Sequence, residues 1–353
     1  MRSDLQPDSI DRSVVDFQVL TDWMDAQGLP SGRITGVELL PGGTQNVLVR
    51  FVRGGEEYVL RRPPPHLRER SNEALRREAR VLAALGDTDV AAPRLVAACL
   101  DESVMHGAVF YLMERINGFN ATSMLPAMHA ADAGVRHRMG LGAAAAIATL
   151  GAVDHVAVGL AELGRPDGFL ERQVGRWLSE LDSYSALAGY PGSEIPGIDT
   201  VAGWLERNRP TSWRPGIMHG DYHLANLLYA FDSARVAAIV DWEMCTIGDP
   251  LLDLGWLIAT WPDAGPGGGL AGAIGVSGGL PAPSELVDEY ATRSDRDLSA
   301  ITWYAVLACF KLGIVLEGTH ARACAGKAPA SVGDLLHATT LGLFARAQAL
   351  MAS

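Results

Sequence analysis

Between His219 and Asp253 the chain reads HGDYHLANLLYAFDSARVAAIVDWEMCTIGDPLLD, a pattern that few folds can accommodate. The apolar run 227–229, the polar turn through Asp232, Ser233 and Ala234, and the apolar run 236–240 predict a β-hairpin. Asn226 precedes its first strand and Asp241 follows its second, so antiparallel pairing brings both to the open end, where neighbouring strands lie about 5 Å apart. An amide oxygen and a carboxylate meeting there, with water completing an octahedron, suit Mg²⁺, a hard cation that takes oxygen ligands and keeps several waters. Asp221, five positions before Asn226, falls in the loop leading into the hairpin, within reach of a reaction beside that ion.

The order His-Gly-Asp, then Asn, then an Asp closing the next strand resembles the catalytic and metal-binding segments of the protein-kinase-like fold. In detail, HGDYHLANLLY and IVDWE resemble the aminoglycoside phosphotransferase family, also called the choline-kinase-like group. That resemblance implies that Asp221 orients and deprotonates an acceptor hydroxyl, and that Asn226 and Asp241 hold the metal bridging the phosphates of ATP. It also implies an α+β, two-lobed protein-kinase-like fold: a small five-stranded antiparallel N-lobe and a mainly helical C-lobe.

The rest of the chain can be set against that expectation. Residues 1–33 form an N-terminal helical extension, in which Val14, Val15, Phe17, Leu20, Trp23 and Met24 make a helical stripe ended by Gly28 and Pro30. Residues 34–113 are the nucleotide-binding N-lobe. Strands at 34–40 and 47–52 flank a loop carrying Gly42, Gly43 and Thr44, where backbone N–H groups can approach phosphate oxygens closely because glycine has no side chain. A third strand, 57–62, ends in Arg61 and Arg62 and is stopped by three prolines. The resemblance puts a phosphate-holding cation at Arg61, usually a lysine, paired to Glu78 on the helix 72–85. Arginine keeps the charge and offers two parallel donors, so the exchange is compatible with that role. Two-residue alternation turns Arg62 to the opposite face and predicts that it meets solvent. Strands at 94–99 and 108–113 complete the sheet. Residues 114–118 follow as a hinge, and the resemblance makes 112–116, including Glu114 and Ile116, the purine-binding segment.

Residues 119–353 are the expected C-lobe, catalytic and acceptor-binding, with helices at 131–150, 168–185, 196–208, 284–293, 298–325 and 332–351. Another helix should start at Pro250 with Asp249 as its N-cap. By resemblance, Asp253 supports the His-Gly-Asp loop through hydrogen bonds. Gly151 stands where the family commonly has histidine. The Gly- and Pro-rich connection 261–283 contains formal matches to GxSxG around Ser277 and to GxGxxG at 267–272. Both motifs need a preceding strand and a following helix, which this segment does not supply, so glycine richness is the preferred explanation. The runs YVLRRPPP and GRPDGFLERQVGRW extend the resemblance, over residues 34–325, to the kinase-like domain fused to some acyl-CoA dehydrogenases. For that subgroup the implied acceptor is a hydroxyl on a hydroxy acid or hydroxyacyl thioester.

At 353 residues and 48% hydrophobic, the chain can bury two substantial cores. A net charge of -12 argues against nucleic acid or an anionic membrane as partner. The uncharged apolar stretch 139–153 is shorter than the about 20 residues a spanning helix needs, and no signal pattern opens the chain. With four scattered cysteines and no CxxC pair, these features set the expectation of a cytoplasmic protein without membrane or nucleic-acid partners. The expected function is ATP- and Mg²⁺-dependent transfer of a γ-phosphoryl group to a small-molecule hydroxyl acceptor. Two alternatives stand beside it: a catalytically silent nucleotide or acyl-CoA binder, and a serine hydrolase using Ser277.

Overall fold

A computed structural model describes residues 14–40, 46–65, 70–262 and 268–352. The chain forms two compact units, one of Met1–Asn117 with Ala238–Glu243, the other of Gly118–Ala237 with Met244–Ser353. The first contains helix α1 (Phe17–Ala26), strands β1 (Thr35–Leu39), β2 (Val47–Arg53) and β3 (Glu56–Arg62), helix α2 (Ser71–Leu85), then β4 (Leu95–Cys99) and β5 (Phe110–Glu114). The strands make one antiparallel sheet in the order β1-β2-β3-β5-β4. α1 starts where the Asp16 carboxylate accepts the backbone N–H groups of Gln18 and Val19, an N-cap that relieves two orphan donors. Its Leu20 and Met24 then pack on one face of the sheet with Val37, Val49, Phe51, Leu60 and Phe110.

Arg62 corrects the sequence reading. Alternation does separate it from Arg61, yet it is 1% exposed, and its guanidinium donates to the carbonyls of Val14 and Pro63. The face expected to meet solvent is covered by the chain just before α1. β3 is central in the sheet and is buried through Arg61 and Arg62 alike.

The second unit comprises β6 (Gly118–Asn120), α3 (Ala127–Ala131), α4 (Ala133–Ala152), α5 (Gln173–Ser183), α6 (Ile198–Arg207), β7 (Gly216–Met218) and β8 (Leu227–Ala230). β9 (Val236–Ile239), along which the chain passes toward the first unit, is followed by β10 (Thr246–Gly248), α7 (Leu251–Ala259), α8 (Gly272–Ser277), α9 (Pro283–Ala291), α10 (Ile301–Cys324) and α11 (Ala330–Ala352). β7 pairs with β10, and β6-β8-β9 form a second small sheet that contains the expected hairpin. Two tyrosines, Tyr222 in the loop after β7 and Tyr229 on β8, tie this region to α4: the hydroxyl of Tyr222 donates to Ala143 O at 2.7 Å and that of Tyr229 to Met139 O at 3.2 Å.

α10 is the spine of this unit and packs against both α7 and α11. A Cβ on Gly255 of α7 would stand 2.5 Å from the backbone of Tyr304 on α10, so the close crossing requires glycine there. By length and composition α10 could cross a bilayer, which the 139–153 criterion overlooked because Lys311 interrupts its apolar run; 78% of its apolar window is buried within the protein, as in a core helix. α7 begins one residue later than expected, at Leu251, with the Asp249 carboxylate accepting the Leu251 N–H at 3.1 Å. The Gly- and Pro-rich connection 261–283, whose sequence has no clear periodicity, contains the short α8.

Candidate active site

β7 delivers His219, Gly220 and Asp221 into a loop that α7 holds from below. The buried carboxylate of Asp253 accepts the His219 N–H at 2.6 Å and the Gly220 N–H at 2.9 Å. Gly220 has φ +87°, and a Cβ there would lie 2.4 Å from the Met244 carbonyl oxygen, so only glycine fits this turn. The loop carbonyl is claimed as well: Lys311 Nζ, from the middle of α10, donates to Gly220 O at 3.0 Å. That ammonium also sits 4.3 Å from the ring centroid of Trp256, a cation–π contact in a buried site.

Burial drives the charges of this cluster toward one another. It lowers the Lys311 ammonium to about 8, against the pull of Asp221 and Asp253. It raises the Asp253 carboxyl to about 7, against the two backbone donors and Lys311. Asp221 behaves differently. Burial alone would raise it, but His223, His219 and Lys311 together hold its carboxyl down to about 2. It is therefore an anion throughout the physiological range.

Asp221 and Asn226 are held as a pair. The Asn226 Nδ2 donates to Asp221 O at 2.9 Å and to Asp221 Oδ2 at 3.1 Å, while His223 Nε2 stands 3.3 Å from Asp221 Oδ1. His223 Nδ1 accepts the Ala225 N–H at 3.2 Å, which places the ring proton of the neutral tautomer on Nε2, facing the carboxylate. Asn120 secures the turn from beneath by donating to the carbonyl of Ala225. Because the Asn226 NH₂ is committed to Asp221, its Oδ1 is the atom left to accept a cation. A hard oxygen donor of that kind fits Mg²⁺.

In the first unit, the Arg61 Nη2 bridges Glu78 Oε1 and Asp241 Oδ1, at 2.9 Å each. The Tyr111 hydroxyl adds a hydrogen bond to Glu78 Oε2 at 3.3 Å. Burial raises Glu78 to about 7, against the pull of Arg61, while the Arg61 guanidinium is held above its ordinary value by Glu78, Tyr111 and Asp241 despite its own burial. Asp241 takes a left-handed backbone conformation, φ 68°, which aspartate tolerates better than most residues. Its side chain remains 38% exposed. Glu114 ends β5, where its N–H donates to Arg94 O at 3.0 Å and its Oε1 accepts the Arg94 N–H at 3.0 Å; Ile116 follows, half-buried. Gly42, Gly43 and Thr44 lie outside the described residues.

Thus the structure brings together Asp221 with Asn226, and Arg61 with Glu78 and Asp241. The sequence places Lys311 among the polar residues of the 298–325 helix, as a candidate for meeting the acceptor; its hold on the Gly220 carbonyl is what that reading lacks. The one signal of that hold was rarity: Lys311 is one of two lysines in the chain, set in a largely apolar helix. The hydrolase alternative loses its support, since Ser277 ends α8 with its hydroxyl donating to Ala273 O at 2.9 Å, and a helix rather than a strand precedes it.

Comparison with known proteins follows the same lines. A family model described as "Phosphotransferase enzyme family" matches residues 36–286. Acyl-CoA dehydrogenase family member 11 of Rattus norvegicus is 30% identical over 290 residues, covering 79% of this chain but 35% of that protein. The chain therefore spans about a third of the length of that curated relative. A crystal structure from Ralstonia eutropha, provisionally named an aminoglycoside phosphotransferase, is 28% identical with a TM-score of 0.77, covering 95% of this chain and 98% of its own. The GDP complex of wild-type aminoglycoside 2'-phosphotransferase-IIIa shares the fold at 15% identity, with a TM-score of 0.60 and coverage of 92% and 99%.

Proposed function

From the phosphotransferase enzyme family, to which this chain belongs as a small-molecule kinase of protein-kinase-like fold, we propose a specific reaction: transfer of the γ-phosphoryl group of ATP to the hydroxyl of a hydroxy acid or hydroxyacyl thioester. The observation that carries the reading is the held pair of Asp221 and Asn226 on a loop whose two amides are gripped by Asp253. The acceptor class is supported by the runs YVLRRPPP and GRPDGFLERQVGRW and by the rat relative, whose name is that of an acyl-CoA dehydrogenase.

Asp221 orients the acceptor hydroxyl and takes its proton as the new P–O bond forms. An ordinary carboxylate of low basicity suffices, because the transition state is loose and the hydroxyl becomes strongly acidic only late in the transfer. His223 and Asn226 fix the carboxylate so that one oxygen faces the acceptor. Asn226 Oδ1 and the Asp241 carboxylate would hold Mg²⁺, which when bound supplies positive charge to the phosphate oxygens. Arg61, aligned by Glu78, contributes a second cation toward the phosphates. Gly42, Gly43 and Thr44 would offer backbone N–H groups to the phosphates, and the backbone of Glu114 and Ile116 would receive the purine. The four cysteines, none of them in a disulfide among the described residues, suit the reducing cytoplasm in which we place the enzyme.

The test is a screen of ATP turnover across hydroxy acids, hydroxyacyl-CoA thioesters, choline, sugars and aminoglycosides, with product mass measured. A hydroxy acid or hydroxyacyl thioester should be phosphorylated with the highest kcat/KM. Selective phosphorylation of an aminoglycoside or choline would refute the assigned acceptor.

A further inference from the structure

Away from the His-Gly-Asp loop, the hairpin of α10 and α11 carries two short patterns in register: Glu317-Gly-Thr-His320 near the end of one helix and Asp334-Leu-Leu-His337 near the start of the other. A spacing of three residues sets each carboxylate and its histidine on one helix face. Gly333 lets those faces meet, since a Cβ there would stand 2.4 Å from Ala323 Cβ. The result is a compact donor set. One ligand atom from each of Glu317, His320 and His337 lies within 4.8 Å of the others.

The individual contacts show what this set lacks. Glu317, fully buried, accepts the Tyr190 hydroxyl on Oε1 at 2.8 Å and meets His337 Nδ1 with Oε2 at 2.7 Å. The two imidazole rings stack with centroids 4.6 Å apart. His320 Nε2 lies 3.6 Å from Cys324 Sγ, which sets the ring so that Nδ1 turns inward. That Nδ1 is buried and has no hydrogen-bond partner among the described residues, while the Asp334 carboxylate stands 4.0 Å away. An orphaned buried imidazole nitrogen facing carboxylates calls for an occupant. A tyrosine on the carboxylate and a thiol on the far nitrogen are the kind of outer support that orients metal ligands.

We propose that Glu317, His320, Asp334 and His337 bind a divalent ion of the zinc class and clip α10 to α11. Two imidazoles with two carboxylates favour Zn²⁺ and its neighbours over Mg²⁺ or Ca²⁺, which prefer all-oxygen sets. With bonds of about 2.0–2.2 Å, tetrahedral donors stand roughly 3.4 Å apart, a spacing between the 2.7 Å from His337 to Glu317 and the 4.0 Å from His320 to Asp334, and inside the 4.8 Å that bounds Glu317, His320 and His337. The proposal is independent of the phosphotransfer site.

The experiment uses tag-free protein, stripped with chelator and titrated with Co²⁺ as a spectroscopic probe, followed by Zn²⁺. The expected result is one equivalent of Co²⁺ with the intense visible absorption of a tetrahedral ion, displaced by Zn²⁺. Tyr190→Phe should weaken uptake about tenfold. His320→Ala with His337→Ala should abolish the band, with far-ultraviolet circular dichroism reporting that the helices remain. Folded wild-type protein that takes up no stoichiometric Co²⁺, or shows only the weak spectrum of an octahedral ion at an oxygen site, overturns the proposal. So does an intense band that persists in the double variant.

Discussion

Replacing Asp221 by asparagine lowers kcat for phosphoryl transfer by about 10³-fold, within the range a lost general base costs, and leaves nucleotide affinity largely intact. The two effects separate because Asp221 touches the acceptor side of the reaction. The substituted amide can still accept from Asn226 through its oxygen, as Asp221 Oδ2 does at 3.1 Å, so the turn persists. What disappears is the anion. With its carboxyl held down to about 2, Asp221 is charged across the whole working range, so the acid limb of the pH–rate profile arises from another group. Single-turnover kinetics paired with nucleotide titration reads both quantities. Transfer that survives undiminished would remove Asp221 from its role.

Asp253→Ala destabilises the fold by about 3–5 kcal/mol, the cost of breaking a buried charged network by removing one member. Two buried backbone donors, on His219 and Gly220, lose their acceptor, and Lys311 loses one of its two neighbouring carboxylates. The pH dependence carries the diagnosis. Lys311 titrates at about 8 in the folded chain and near its ordinary value of 10.5 when unfolded. Between those values the unfolded state binds more protons, so stability rises with pH through that window. Without Asp253 the folded value drops further and the window opens lower. The Asp253 carboxyl acts in the same direction: burial holds it up to about 7, so its ionisation costs the folded wild type increasingly as pH rises from about 4 to 7, and the variant escapes that cost. The deficit should thus be largest at acid pH and shrink by pH 9, as followed by urea midpoints. A deficit independent of pH would assign the loss to the backbone donors alone.

The parts of this molecule that were legible in the sequence are those governed by local rules. The hairpin around Asp232 was readable because two apolar runs flank a polar turn, whereas the pairing of Arg61 with Glu78, met at 2.9 Å, was implied by the family resemblance. Arg62 was misread because alternation tells which face a residue takes and not what covers that face; here the cover is the segment before α1. The partner of Lys311 was hidden for the same reason, since a largely apolar helix does not announce that its one lysine reaches a loop formed 91 positions earlier. The donors on α10 and α11 were invisible as a set until the close contact at Gly333 showed which turns face each other.

A double-mutant cycle addresses directly the proposal that Asn226 and Asp241 serve a single Mg²⁺-nucleotide. Affinity for a non-hydrolysable ATP analogue is measured with and without Mg²⁺ in wild type, Asn226→Ala, Asp241→Ala and the double variant. If both residues hold one ion, each single change removes most of the Mg²⁺-dependent part of the affinity and the double change adds little more. Losses that simply add, or an Mg²⁺ effect that either single variant retains in full, would contradict it.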